Sequence, residues 1–188
     1  MKAHDYESDL TEFLKRYSYQ PDLTKRLDEL SDDFSDPVVN EIVLWKVNRF
    51  VSVPPDVLAL LNQARDLRPP EHRDARQALS RLLDEVRGVD LPMASTFLRF
   101  RNPKVFQIMD RHAYRALYGR TYDLCPSTSA HRKIEAYFQY LDDLRELCEK
   151  KNLDFDTADR LLYIFDKEKN GSLDGKPGRR RSRTAGVS

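Results

Sequence analysis

A single acidic residue, Asp110, lies in a basic stretch in the middle of the chain. Residues 91–122 hold no other acid and six basic side chains: Arg99, Arg101, Lys104, Arg111, Arg115 and Arg120. A basic patch of this kind favours a polyanion, although the same charges are also typical of a solvated helix face. Within the patch, a fixed carboxylate could stabilise a developing positive charge or orient a water molecule. The alternative is a helix cap with a surface salt bridge.

The residues just before this patch predict two helices joined by a minimal turn. Gly88 ends an apolar helical stripe, because glycine adopts the left-handed conformation that closes helices without steric cost, and helical spacing resumes at Leu91. Ala94 and Ser95 are small, so the two helices can approach closely. We expect free backbone N–H groups at the start of the second helix, where the helix dipole favours a phosphate. The alternative is an ordinary turn closed by glycine.

Residues 82–119, LLDEVRGVDLPMASTFLRFRNPKVFQIMDRHAYRALYG, resemble the core of the helix-hairpin-helix DNA glycosylase superfamily. Its pattern is a hairpin of the form L-x-G-[VI]-G-x-x-x-A, a hydrophobic helix, a proline near a short loop, and an aspartate before another helix. The matching residues, in chain order, are Val86, Gly88, Val89, Ala94, Pro103, Ile108 and Asp110. VLWKVNR at 43–49 and LDFDTADRLLYIFDK at 153–167 resemble segments of small bacterial members more loosely.

The resemblance implies an all-α orthogonal helical bundle that removes a damaged or modified base from DNA during base-excision repair, with Asp110 as the catalytic carboxylate. The expected partner is duplex DNA with a flipped base, bound by a monomer. The residues expected to hold the backbone are Gly88, Val89, Asp90, Leu91, Ala94, Ser95, Arg99, Arg101, Lys104 and Arg111. The base pocket is expected to include Trp45, Lys46 and Arg49.

Two positions depart from the family pattern. Pro92 stands where strand-cutting members place a lysine nucleophile, which excludes a Schiff base there and leaves a monofunctional hydrolase. Asp90 replaces the second hairpin glycine, and its carboxylate would repel a phosphate unless it points away, caps the next helix or helps to hold a cation. His112, close to Asp110, is expected to be a solvated helix-surface residue. The alternatives are an inactive helix-hairpin-helix DNA-binding module and a helical interaction domain whose basic tail binds an acidic partner.

The apolar spacing along the whole chain follows the helical period, so the fold class is all-α. Predicted helices cover residues 5–17, 21–30, a segment starting at Asp36, and 55–66, 71–87, 91–101, 105–118, 127–150 and 156–169. We expect one domain over residues 1–170, followed by a disordered basic tail at 171–188.

Composition is typical of a globular protein, with 40% hydrophobic and 34% charged residues in a chain of 188. No run approaches the roughly 20 apolar residues that span a bilayer, and the N-terminus lacks the apolar segment of a signal peptide. Cys125 and Cys148 form no CxxC pair and no four-cysteine iron–sulfur signature, so neither a metal site nor a cofactor is expected. These features predict a cytoplasmic protein that does not bind membranes, and the resemblance to DNA glycosylases implies that it is associated with the nucleoid.

Overall fold

The computed structural model describes residues 20–30, 34–47, 51–171 and 173, and within these ranges the chain is all-helical and contains no strand. The predicted all-α class is therefore confirmed. Two compact units divide the chain at residue 51, one over residues 1–51 and the other over residues 52–188. The sequence did not predict this boundary inside the expected single domain. No helix in the described part of the chain combines the length and apolar character that crossing a membrane requires.

The described part of the first unit contains two helices, α1 (Pro21–Asp28) and α2 (Asp36–Lys46). The Trp45 indole Nε1 donates to Thr24 Oγ1 at 2.8 Å, and Arg26 forms an ion pair of 2.9 Å with Glu41. These contacts join α2 to α1. Both helices lie where the sequence predicted them, whereas the predicted helix at residues 5–17 lies outside the described residues.

The second unit contains the helices α3 (Pro55–Gln63), α4 (Arg76–Glu85), α5 (Leu91–Arg101), α6 (Arg111–Tyr118), α7 (Ala130–Lys151) and α8 (Ala158–Lys169). Short 3-10 turns at Ala64–Asp66, Pro69–Ala75 and Phe155–Thr157 precede or follow them. The core is formed mainly by fully buried side chains of α4, α5 and α7 and of the segment before α6. Its largest members are Leu79, Leu82, Leu91, Leu98, Phe106, Met109, Ile134, Tyr137, Phe138, Tyr140, Leu141 and Leu144.

The turn between α4 and α5 has the predicted hairpin form. Gly88 adopts a left-handed backbone conformation with φ of 83°, and Asp90 is the N-cap of α5. The Val89 N–H donates to the Val86 carbonyl across the turn at 3.2 Å. The predicted helix boundaries at residues 91 and 101 coincide with those of α5.

The predicted helix over residues 105–118 is wrong in its first half, because α6 begins only at Arg111. The Asn102 side-chain amide donates to the carbonyls of Ala64, Arg65 and Leu67 at 2.9–3.1 Å, which fixes the chain at the end of α5. The amide of Gln107 then bonds the carbonyls of Pro103 and Phe106, and these bonds compete with helical ones. Residues 107–110 therefore form a non-helical segment that leads into α6.

Candidate active site

A cleft of about 410 Å³ lies beside the start of α6, with α8 forming its other wall. Its lining consists of Ile108, Asp110, Ala113, Asp159, Arg160, Tyr163 and Ile164. The volume falls in the range of small-molecule pockets, and the combination of apolar walls with a few polar groups is typical of them. The cleft brings together the carboxylate singled out by the sequence and a second carboxylate from α8.

Asp110 is the N-cap of α6, so its position in the cleft is fixed by the helix that it starts. Its Oδ1 accepts a hydrogen bond from the Ala113 N–H at 2.8 Å, and the side chain is half-buried. Among the described residues, no other group hydrogen-bonds or ion-pairs with this carboxylate. The predicted helix cap is therefore confirmed, whereas the surface salt bridge that was expected with it is not found among the described residues. The cap is compatible with a place in the cleft because it needs only one carboxylate oxygen.

The backbone that leads to Asp110 is held by side chains of α5 and α7. The Ser95 hydroxyl accepts from the Met109 N–H at 3.2 Å. The hydroxyl of Tyr137 donates to the Gln107 carbonyl at 3.0 Å, and that of Tyr140 donates to the Ile108 carbonyl at 2.9 Å.

Both tyrosines are fully buried, and burial raises the pKa of each well above its ordinary value, so both hydroxyls remain protonated donors. Electrostatic repulsion from Tyr137, Asp159 and Asp110 raises the pKa of Tyr140 further. These hydrogen bonds support the cleft from behind and restrict where Asp110 can move.

Asp159 is the second cleft carboxylate, and it was not predicted from the sequence. The residue is 4% exposed, and its Oδ2 lies 3.3 Å from Arg99 Nε and 3.4 Å from the Ile108 backbone nitrogen. Its Oδ1 accepts from the Arg160 N–H at 2.7 Å. Both oxygens are thus committed to protein groups. An aspartate in a first helical turn has no sequence signal that separates this role from an ordinary cap.

Arg99 was expected to contact DNA phosphates, but the structure buries it. The residue is 7% exposed, lies beside Asp159 and donates from Nη2 to the Asp156 carbonyl at 3.0 Å. A buried ion pair of this kind joins α5 to the start of α8. In this conformation the guanidinium is not accessible to a phosphate.

Tyr163 forms the aromatic wall of the cleft, and a buried polar cluster supports it. The edge of the His112 ring faces it, with ring centroids 4.9 Å apart and an interplanar angle of 75°. His112 Nδ1 lies 2.7 Å from Oδ2 of the fully buried Asp166. Burial opposes ionisation of Asp166, but hydrogen bonds from Arg115, Asn170 and His112 lower its pKa to about 2. The expectation that His112 is merely solvated is therefore wrong.

The Asp90 carboxylate, which departs from the family pattern, is neutralised inside the protein. Its Oδ1 accepts from the Leu91 N–H at 2.7 Å and lies 2.8 Å from Lys133 Nζ. The Lys133 side chain is only 7% exposed, and its ammonium group also donates to the Pro126 carbonyl at 3.2 Å. Asp90 thus caps α5 and pairs with a cation, which are two of the arrangements that the sequence left open.

The first turn of α5 consequently has no free backbone N–H group. The Leu91 N–H is bonded by the Asp90 carboxylate, and Pro92 has no amide proton. The amides of Met93 and Ala94 both donate to the Asp90 carbonyl, at 2.9 and 3.0 Å. The expectation of exposed amides at this helix start is wrong, because the carboxylate and the backbone carbonyl of Asp90 accept from them.

The other expected contact residues differ in accessibility. Val89, Leu91, Ala94 and Ser95 are buried, whereas Gly88, Lys104 and Arg111 are exposed.

Arg101 is half-buried beside Phe97 and Phe100, and two of its guanidinium nitrogens are buried without a hydrogen-bond partner. Trp45 and Lys46 belong to α2 of the first unit, and Arg49 lies outside the described residues.

In the part of the chain that the structure describes, no group of three or more histidine, cysteine, aspartate or glutamate side chains could hold a metal ion. Comparison with known proteins finds no matching family model, no similar curated protein and no similar solved structure.

Proposed function

We propose that this protein hydrolyses the N-glycosidic bond of a damaged or modified base in DNA, as a monofunctional glycosylase of the helix-hairpin-helix type. The observation that carries the proposal is the position of the Asp110 carboxylate in a cleft of about 410 Å³ with apolar and aromatic walls. A site that acts on a base takes it out of the duplex and stacks it between such side chains. The cleft supplies both the pocket and the acid that this reaction requires.

The chemistry assigned to Asp110 is electrostatic stabilisation and orientation of water. Cleavage of the bond between C1′ and the base nitrogen passes through an oxocarbenium-like state, and a nearby carboxylate stabilises its positive charge. Water then forms the new bond to C1′, and its proton leaves with the displaced base. The Ala113 N–H holds one carboxylate oxygen of Asp110 at 2.8 Å, which orients the group for this task.

Tyr163 is the proposed stacking surface for the base. Its ring lines the cleft together with Ile108 and Ile164, and the His112 ring edge fixes it at a centroid distance of 4.9 Å. An extruded base held between this apolar wall and the Tyr163 ring would keep most of the stacking contact that it had in the duplex. Pro92 stands where a lysine nucleophile would be needed for strand cleavage, so the expected product is an intact strand with an abasic site.

The arrangement of α4, α5 and α6 supports the assignment to this type of bundle. A short turn with a left-handed Gly88 joins α4 to α5, and a non-helical segment after Pro103 leads to Asp110 at the start of α6. This order of helix, hairpin, helix, loop and capping aspartate is the pattern that the sequence resembles.

A second candidate is a DNA-binding module without catalytic activity. The cap bond between Asp110 and the Ala113 N–H favours it, because a capping role alone accounts for an aspartate at this position. The two candidates bind the same partner and differ in whether a base is released.

The test is base release from duplexes that each carry one lesion, followed by alkali to cut the strand at abasic sites. Release from at least one lesion supports the enzymatic proposal, and DNA binding without release from any of them supports the binding module. Asp110→Asn should lower the release rate by about 10²- to 10³-fold. Asparagine retains the capping oxygen, so this variant removes the charge and preserves the helix start.

Asp84→Asn is the matched control, because Asp84 is an exposed α4 carboxylate that accepts from Ser80. It should release base at the wild-type rate. Deletion of residues 171–188 tests the remaining alternative, an interaction domain whose tail does the binding. Salt-sensitive DNA binding that persists after the deletion contradicts that alternative.

A further inference from the structure

The start of α5 is closed to phosphate by the protein's own groups. Its amides are bonded to Asp90 or absent at Pro92, and the Asp90 carboxylate itself is 42% exposed at the turn. A phosphate approaching this helix start would find no free donor there, because the Asp90 carboxylate already occupies the Leu91 N–H and is paired with Lys133. DNA affinity therefore requires cations elsewhere on the unit.

Most of the basic side chains that follow the hairpin in the sequence are not placed to bind phosphate at the cleft instead of the hairpin. Arg99 is buried against Asp159, and the side chain of Arg101 lies in a separate groove with two buried guanidinium nitrogens. Lys104 is exposed but does not line the cleft. Of the cations expected to contact DNA, only Arg111 is both exposed and adjacent to a cleft residue.

Two exposed arginines instead follow the two cleft carboxylates directly in the sequence. Arg111 directly follows Asp110 at the start of α6, and Arg160 directly follows Asp159 in the first turn of α8. Arg160 itself lines the cleft. Neither guanidinium forms an ion pair with any residue that the structure describes.

The electrostatics of a helix do not favour arginines at these positions. The positive end of the helix dipole disfavours cations in a first turn by a few tenths of a kcal/mol or more. Two arginines nonetheless occupy the first turns of the two helices that form the cleft walls. The two side chains add positive charge directly after the two cleft carboxylates along the chain.

We infer that Arg111 and Arg160 hold the DNA phosphates on either side of the extruded nucleotide, in place of the hairpin. This inference rests on the proposed function, since it takes DNA as the partner and the cleft as the site. It adds Arg160 to the contact residues and removes the start of α5 from them.

The test measures the affinity for a short fluorescein-labelled duplex that contains a tetrahydrofuran analogue of an abasic site, over a range of KCl concentrations. The variants are Arg111→Gln, Arg160→Gln and both together. Each substitution should reduce the slope of log affinity against log salt by about 0.9, because one phosphate contact is lost. The double variant should lose about twice as much, and thermal melting checks that all variants remain folded.

Arg87→Gln is the discriminating control, because Arg87 is an exposed cation in the hairpin turn beside Gly88. A wild-type slope for Arg87→Gln together with reduced slopes for the Arg111 and Arg160 variants, called the rim variants below, supports the inference. The reverse result, or wild-type slopes for both rim variants, overturns it and leaves the proposed function standing.

Base release is measured in parallel on the same proteins. Reduced slopes in the rim variants without release from any lesion support the inference as a statement about binding, and they contradict the enzymatic proposal. A wild-type protein that does not bind the duplex at any salt concentration overturns both.

Discussion

The hydroxyl of Ser95 accepts a hydrogen bond from the backbone N–H of Met109 at 3.2 Å. Ser95 lies on the second helix of the hairpin, and Met109 immediately precedes Asp110. This bond is therefore a direct link between the hairpin and the cleft carboxylate, across residues separated by 14 positions in sequence. Both partners are fully buried, so water cannot replace either of them.

Ser95→Ala should destabilise the protein by about 1–3 kcal/mol, because it leaves the buried Met109 amide without an acceptor. If Asp110 acts as proposed, the rate of base release should also fall by about tenfold or more, since small displacements of a reacting group are costly. Denaturant unfolding and the alkali assay measure the two effects.

Thr96→Ala is the control for this variant. The Thr96 hydroxyl donates to the Pro92 carbonyl at 2.7 Å, within the same helix, as that of Ser95 does at 2.9 Å. Only Ser95 also reaches Met109. Equal losses of stability in the two alanine variants would show that the link to Met109 contributes little.

Arg99→Met should cost about 3–5 kcal/mol of unfolding free energy, because it leaves the buried Asp159 carboxylate without its cation. Asp159→Leu should be destabilising for the converse reason. The double variant should cost less than the sum of the two, since it removes both charges together. Strict additivity of the three unfolding free energies would indicate that the 3.3 Å pair contributes no coupling.

The two partners of the Asp90–Lys133 pair should respond unequally to substitution. Lys133→Met strands a carboxylate that is 42% exposed, and solvent can compensate it, so about 1 kcal/mol is expected. Asp90→Ala strands an ammonium group on a side chain that is 7% exposed and also removes the α5 cap, so about 2–4 kcal/mol is expected. Equal costs in urea unfolding would contradict the difference in burial on which this prediction depends.

Asp166 should make the stability of the protein depend on acid pH. Its pKa is about 2 in the folded protein and 3.8 ordinarily, so the unfolded chain binds its proton first as the pH falls. The stabilisation, about 2 kcal/mol, is complete well above pH 4 and is lost as the pH falls through 2. Asp166→Asn should be less stable at neutral pH and should show a flatter decline between about pH 5 and 2. A parallel decline in both proteins would assign the acid sensitivity to other groups.

The sequence predicted α7 correctly because its apolar residues form a single stripe. In α7 the stripe from Ile134 to Cys148 is buried along its whole length, and local spacing alone determines it. The segment at 105–110 also contains closely spaced apolar residues, which suit either a helix or a buried extended segment. Hydrogen bonds with Ser95, Tyr137 and Tyr140 favour the buried extended segment. Because these three residues are distant in the sequence, local spacing does not reveal them.

The residues of the candidate site also differ in whether local sequence or tertiary packing determines their place. Asp110 could be singled out from the sequence because its signal is local: it is the lone acid in a basic window. Asp159, Arg160 and Tyr163 lie about 50 positions further on, and only the packing of α8 against α6 brings them to the cleft. The pairing of Arg99 depends on the same packing, so its positive charge suggested an exposed contact that the fold does not provide.

The pairing of Asp90 with Lys133 also affects how the turn at Gly88 responds to a ligand. Protein carboxylate and ammonium groups already provide the charges that would otherwise come from a phosphate and its counterion. If the protein binds a nucleic acid as proposed, a rearrangement of the turn would therefore add no favourable electrostatic interaction. We expect its backbone to superimpose between the free protein and any complex, and any adjustment on binding to occur in arginine side chains instead.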